Sequence, residues 1–127
     1  NNLVAGKLGP VQGEQRPIET ALGRLICSIS DQPHLKAAPD GASAFAAFRP
    51  EALHLADSTD GDNRFSGTIA DLAFAGSSTV ATITAGADTA AQRLRLRTPS
   101  RIDGSALRSG ETVSLSFAPH EGHLVLA

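Results

Sequence analysis

The sequence has one cysteine, no methionine, no tryptophan and no tyrosine, and its five aromatic residues are all phenylalanine. A single thiol, Cys27, can neither close an intramolecular disulfide nor hold zinc alone. That excludes a disulfide-stapled scaffold and a zinc module, and it points to a reducing compartment. Without Trp or Tyr the chain has few platforms on which bases or sugars stack, so single-strand and carbohydrate binding lose support. Basic charge is scarce as well. Eleven Lys and Arg against thirteen Asp and Glu leave a net charge of −2, whereas nonspecific nucleic-acid binding needs a positive field; no nucleic-acid partner is expected. No apolar run approaches the roughly 18 residues of a membrane span, and Asn1-Asn2-Leu3 resembles no basic, apolar leader. The absence of an initial Met reads as a fragment of a longer chain.

What is present is punctuation. Twelve Gly and seven Pro cut the apolar residues into short runs, the pattern of an all-β domain with frequent turns. The clearest strand is 92–98, where strict alternation sets Leu94 and Leu96 on one face and Arg93, Arg95 and Arg97 on the other. Over 112–117 the same alternation turns Val113, Leu115 and Phe117 inward and Ser114 and Ser116 outward. Further strands are expected at 3–8, 22–29, 65–74, 79–84 and 123–126, with one helical turn near 102–107 ended by Gly110. At 127 residues the chain makes one domain or two very small ones.

An internal repeat organises these strands. Asn2-Leu3-Val4-Ala5-Gly6-Lys7-Leu8 and Asn63-Arg64-Phe65-Ser66-Gly67-Thr68-Ile69 share the pattern Asn-x-apolar-x-Gly-x-apolar. Gly41 to Phe48, Pro50 and His54-Leu55 recur at constant offset as Gly110 to Phe117, Pro119 and His123-Leu124. The chain reads as two copies of one β unit, 1–57 and 62–127. The Ala-rich segment 42–48 suits a helix by propensity, but its partner 111–117 is a strand. By correspondence Ala44, Ala46 and Phe48 face inward and Phe45 faces away. Two copies of about five short strands, each too small for a core of its own, predict a pair of small barrels packed on each other.

Chemistry-bearing motifs are sparse. No G-x-x-x-x-G-K-[ST] phosphate loop and no G-x-S-x-G elbow occurs, and no pair of titratable groups is arranged as acid and base. Cys27 sits in an apolar run, where a thiol is inert core. His120-Glu121-Gly122-His123 lacks the helical spacing of a zinc site and reads as a turn between strands. The run from Asp57 to Asn63 lacks the ligand spacing of a calcium loop and reads as a solvated linker. Two anion candidates remain. Gly76-Ser77-Ser78-Thr79 joins a glycine turn to hydroxyl donors, and it reads equally as a hairpin turn. The stripe of Arg93, Arg95 and Arg97 presents charge to one side, either as a solvated face or as a contact for an anion or an acidic partner.

Arg49-Pro50-Glu51-Ala52-Leu53, behind a Gly-led β run, resembles the RPE motif in the C-terminal regulatory region of bacterial ABC-importer ATPases, the TOBE or MOP-like domain. Thr20-Ala21-Leu22-Gly23, Gly67-x-Ile69, Gly76 and Leu107-x-x-Gly110-x-x-Val113-x-Leu115-x-Phe117-x-Pro119 extend the resemblance over most of the chain. It implies two intertwined oligonucleotide/oligosaccharide-binding-type (OB-type) barrels, in agreement with the repeat. It further implies a cytoplasmic, non-catalytic tail at the inner face of the membrane. That tail would pair with a second copy of itself, with its own N-terminal ATPase domain and, indirectly, with a permease. ATP and magnesium would bind in the absent ATPase domain, not here. On this reading Arg49, Pro50 and Glu51 are interfacial or structural, and Pro50, which cannot donate to a ladder, ends the strand. The alternative is a small-oxyanion-binding module, for molybdate or a sulfate-like anion, acting as a sensor; some relatives bind molybdate or tungstate in such domains.

Overall fold

In a computed structural model, the structure describes residues 1–55, 63–86, 92–99 and 107–127. Of the solvated linker expected at 57–63 only Asn63 is described, and it is buried; the repeat boundaries at 57 and 62, and the helical turn expected at 102–107 except for Leu107, lie outside these residues.

Alternation of apolar and polar side chains, interrupted by turns, produces ten strands: β1 (Asn2–Leu8), β2 (Gln15–Thr20), β3 (Gly23–Ser28), β4 (Ser43–Phe48), β5 (His54–Leu55), β6 (Arg64–Ala75), β7 (Ser78–Ala85), β8 (Gln92–Pro99), β9 (Thr112–Ser116) and β10 (Gly122–Leu126). A short helix, α1 (Pro33–Ala37), and 3-10 turns at Pro50–Ala52 and Pro119–Glu121 complete the described elements. The strands make two antiparallel five-stranded sheets, ordered β10-β4-β1-β2-β3 and β5-β9-β6-β7-β8. The protein is all-β, built from two OB-like half-barrels.

The two sheets repeat each other in register. Gly6 faces Ala44 across β1 and β4, and Gly67 faces Val113 across β6 and β9. Each sheet also takes its last strand from the other half. Leu124 of β10 pairs with Ala46 of β4, and Leu55 of β5 pairs with Leu115 of β9. Each crossing is made by a Pro-led 3-10 turn, since Pro50 and Pro119 supply no N–H and break the ladder while their fixed φ suits a first helical position. The turns pack on the opposite half, Pro50–Ala52 against β8 and Pro119–Glu121 against β3.

Two asparagines lock this exchange. The Asn2 side chain donates to the Arg95 carbonyl and accepts the Arg95 N–H, both at 2.8 Å. Asn63 does the same to Ile26, at 2.7 and 2.6 Å. Each asparagine begins the first strand of one half and satisfies the backbone of the third strand in the other, where a buried or edge peptide group would otherwise lack a partner.

The core runs continuously through both halves. At its centre Phe48 and Phe117 stack with ring centroids 4.3 Å apart and planes 13° from parallel, a geometry that adds about 0.5–1.5 kcal/mol to their burial. Ala44, Ala46 and Leu115 face inward with them, Val113 is half-buried against the same core, and Phe45 faces away. Ser116 departs from the expectation. It is buried rather than outward, because Arg64 and His54 flank it on both neighbouring strands. Gly6 and Gly67 are required by close approach, since a Cβ at Gly6 would run into the Glu19 carbonyl and one at Gly67 into the Ile83 side chain.

β2 was not foreseen, because Pro17 interrupts it. The Pro17 carbonyl accepts the Gly9 N–H on the β1 side. Its missing donor therefore faces the end of β1, and no bond to β3 is lost.

Candidate functional site

The β6–β7 hairpin closes through Gly76 and Ser77, with Ala75 paired to Ser78. Gly76 has φ of +63°, the left-handed value that a type II′ turn asks of its first central residue and that glycine adopts freely. The turn carries Ser77, Ser78 and Thr79 to one end of the second half-barrel. There they meet the end of β8 and the segment that crosses from β4 to β5. Together these elements bound a cleft of about 810 Å³.

The cleft floor is apolar, from Leu53, Leu96 and Leu107, and its rim carries Phe74 and Leu55. Polar groups converge from three directions. The hairpin contributes the three hydroxyls, β8 contributes Arg97 and Thr98, and the crossing segment contributes His54 and Glu51. Thr79 is buried, and Ser78 and Thr79 already have partners within the chain. Arg97 makes no ion pair among the described residues. An apolar cleft with a few convergent polar groups is the usual form of a small-ligand site.

The two anion candidates of the sequence thus meet in part. Ser77, Ser78, Thr79 and Arg97 line one cleft, whereas Arg93 and Arg95 stand exposed further along β8 and do not reach it. The Arg-Pro-Glu motif divides as well. Pro50 starts the 3-10 turn. Glu51 borders the cleft and also a second, smaller cavity of about 310 Å³ that it shares with Arg49, Ala52, Glu121 and His123. Two carboxylates make that second cavity a poor place for an anion. His54 Nε2, on the cleft, lies 4.0 Å from Glu121 Oε1, on the second cavity.

Cys27 is fully buried, and burial alone pushes its thiol up to about 12. It is a core residue facing Gly122, where a Cβ would come within 2.9 Å of its sulfur. His120 and His123 are exposed around the second 3-10 turn, and no metal-binding cluster occurs among the described residues.

Sequence reasoning missed Arg16. Its guanidinium is 0% exposed and donates to the carbonyls of Gly9, Leu35 and Ala38 at 2.7–2.8 Å and to Asp40 at 3.1 Å. It plugs the end of the first half-barrel beneath α1. At the matching register position in the second half stands Ala81, opposite Leu96 of the cleft floor. The only sequence signal was a charged residue next to proline in a segment without alternation.

A family model for the TOBE domain matches residues 46–125, and the chain belongs to that family. Among solved structures, the cytoplasmic molybdate-binding protein ModG, in a PEG-grown form with molybdate bound, superposes with a TM-score of 0.83. The match covers 100% of this chain and 96% of that one at 15% identity, and it shows a shared fold. No curated protein matches the sequence. No helix of the described residues is long and apolar enough to cross a membrane.

Proposed function

We propose that this chain is a non-catalytic binding module for a small tetrahedral oxyanion of the molybdate or sulfate class. The observation that carries the reading is that the Ser77–Thr79 turn and Arg97, which makes no ion pair among the described residues, line one cleft. Hydroxyl, backbone and guanidinium donors together suit an anion with acceptor oxygens on every side. The likeness in fold to a molybdate-binding protein supports it. Calorimetry of the chain with molybdate, sulfate and phosphate tests it. One of the three binds stoichiometrically, and Arg97→Ala weakens it at least about tenfold, the loss expected for one charge-assisted hydrogen bond. No heat from any of the three at millimolar concentration refutes the reading.

A second reading places the chain as the regulatory and dimerisation tail of a cytoplasmic ABC-importer ATPase subunit. The outer face of the first sheet supports it, because Ala5, Phe45 and Val125 lie in one cross-strand row beside Leu3, with Leu3 54% and Val125 48% exposed. An exposed apolar row of this kind suits a second copy or an adjoining domain. Sedimentation at several concentrations separates the readings. A monomer up to near-millimolar protein means that this tail does not hold subunits together.

A further inference from the structure

β8 is the last strand of its sheet, and its free edge is already occupied. Asn2 takes the N–H and carbonyl of Arg95, and the Pro50–Ala52 turn packs on the same strand. What β8 offers to the outside is therefore its row of side chains. Arg93, Arg95 and Arg97 all point outward while Leu94 and Leu96 fill the core. None of the three makes an ion pair among the described residues. Their neighbours on β7 are Thr84, Thr82 and Val80 in register, so no carboxylate faces them from that strand; on the other side Glu51, in the turn packed against β8, shares the cleft lining with Arg97 alone of the three. Asp71 lies one strand further away, opposite Thr82. In a chain of net charge −2, three guanidinium groups in line, none of them ion-paired among the described residues, form a local positive field of which the cleft borders only the Arg97 end.

We propose that the outer face of β8 docks an extended acidic peptide strand that carries carboxylates at every second residue. Charge complementarity selects an acidic partner, and geometry selects its form. Alternate residues of a strand are about 6.6 Å apart, so an extended peptide with alternating carboxylates repeats at the same spacing as the three arginines. Each carboxylate meets one guanidinium, with the β7 threonines able to donate to the remaining oxygens. A nucleic-acid strand fits less well, because the face has no aromatic residue on which bases could stack.

The test uses the full chain and a fluorescein-labelled peptide of alternating Glu and Thr, read by anisotropy at low salt. The comparison ligands are a peptide of identical composition with its Glu residues in one block, and oligo-dT of similar charge. The alternating peptide binds at least about fivefold tighter than the block peptide and weakens as salt rises, as a screened charge contact must. The double variant Arg93→Gln/Arg95→Gln loses about tenfold or more while the cleft residues, Arg97 included, stay intact. Both substitutions are at exposed side chains without an ion pair among the described residues, and unchanged molybdate, sulfate or phosphate calorimetry separates this face from the oxyanion cleft. Equal affinity for the two peptides, an unaffected double variant, tighter binding of oligo-dT, or no binding at millimolar peptide each overturns the proposal.

Discussion

Asn63→Ala removes one of the two side chains that tie the halves together, and its cost can be worked from the geometry. Asn63 is 6% exposed and holds both backbone groups of Ile26, at 2.6 and 2.7 Å. Its loss leaves an N–H and a carbonyl without partners, each worth about 1–3 kcal/mol when buried. Ile26 is only half-buried, so water recovers part of this and the lower range applies. A loss of about 2–4 kcal/mol lowers the melting temperature by about 8–16 °C in a chain of this size. Differential scanning calorimetry measures it directly. Asn63→Asp sharpens the test because the carboxylate keeps the acceptor but turns an oxygen toward the Ile26 carbonyl. Repulsion and burial raise the folded pKa of the introduced carboxyl above its unfolded value near 4. The folded state then binds more protons than the unfolded one, and stability falls as pH rises from about 4 through the raised pKa. The Asp variant is thus closest to the parent below pH 4 and worst at neutral pH. If Asn63→Ala melts within about 2 °C of the parent, or Asn63→Asp shows no such pH trend, the cross-half latch is not what holds the exchange.

Arg16→Met strips the donors from three carbonyls and one carboxylate and costs about 3–5 kcal/mol, as breaking a buried charged network does; denaturant unfolding with an unchanged m-value reads it. Arg16→Lys recovers little, because a point-like ammonium cannot span the same fork of acceptors. Cys27, with its thiol pushed up to about 12, stays unmodified by Ellman's reagent at pH 8 in the native protein and reacts only as the chain unfolds; rapid native labelling contradicts its burial. Gly6→Ala meets the Glu19 carbonyl, which cannot move, and yields little soluble protein, whereas Gly13→Ala, in open space at φ of +63°, costs only about 1–2 kcal/mol of left-handed strain; similar yields for both refute the close-approach argument.

The architecture was legible where two signals agreed. Alternation alone identified β8 and β9, and the repeat carried that assignment to the Ala-rich β4, whose composition argues for a helix. The same repeat marked Asn2 with Asn63 and Gly6 with Gly67 without saying why those residue types recur. The reasons are long-range. Each asparagine serves a strand far away in sequence, and each glycine makes room for a neighbouring strand. Neither partner can be read from a local pattern. β2 stayed hidden because Pro17 and its charged neighbours break the alternation, and β5 because two residues are too few for a period.

The cleft was legible only as fragments. The hydroxyl turn and the arginine stripe were each visible, but the β7–β8 pairing that sets Ser77–Thr79 beside Arg97 and the exchange of β5 into the second sheet that adds His54 are contacts that no single segment encodes. The repeat also points to what differs. Register equates Arg16 in the first half with Ala81 in the second, so one barrel end is filled by a guanidinium that satisfies α1 and its flanking loop, while the matching position keeps a methyl group opposite Leu96, a residue of the cleft floor. Among the inward positions at which the two copies have diverged, this one exchanges a charged side chain for a methyl group. A long buried side chain stabilises the first half and consumes its hydrogen-bonding capacity internally. A short one at the matching position of the second half consumes none there, and Arg97, without an ion pair among the described residues, lines the neighbouring cleft.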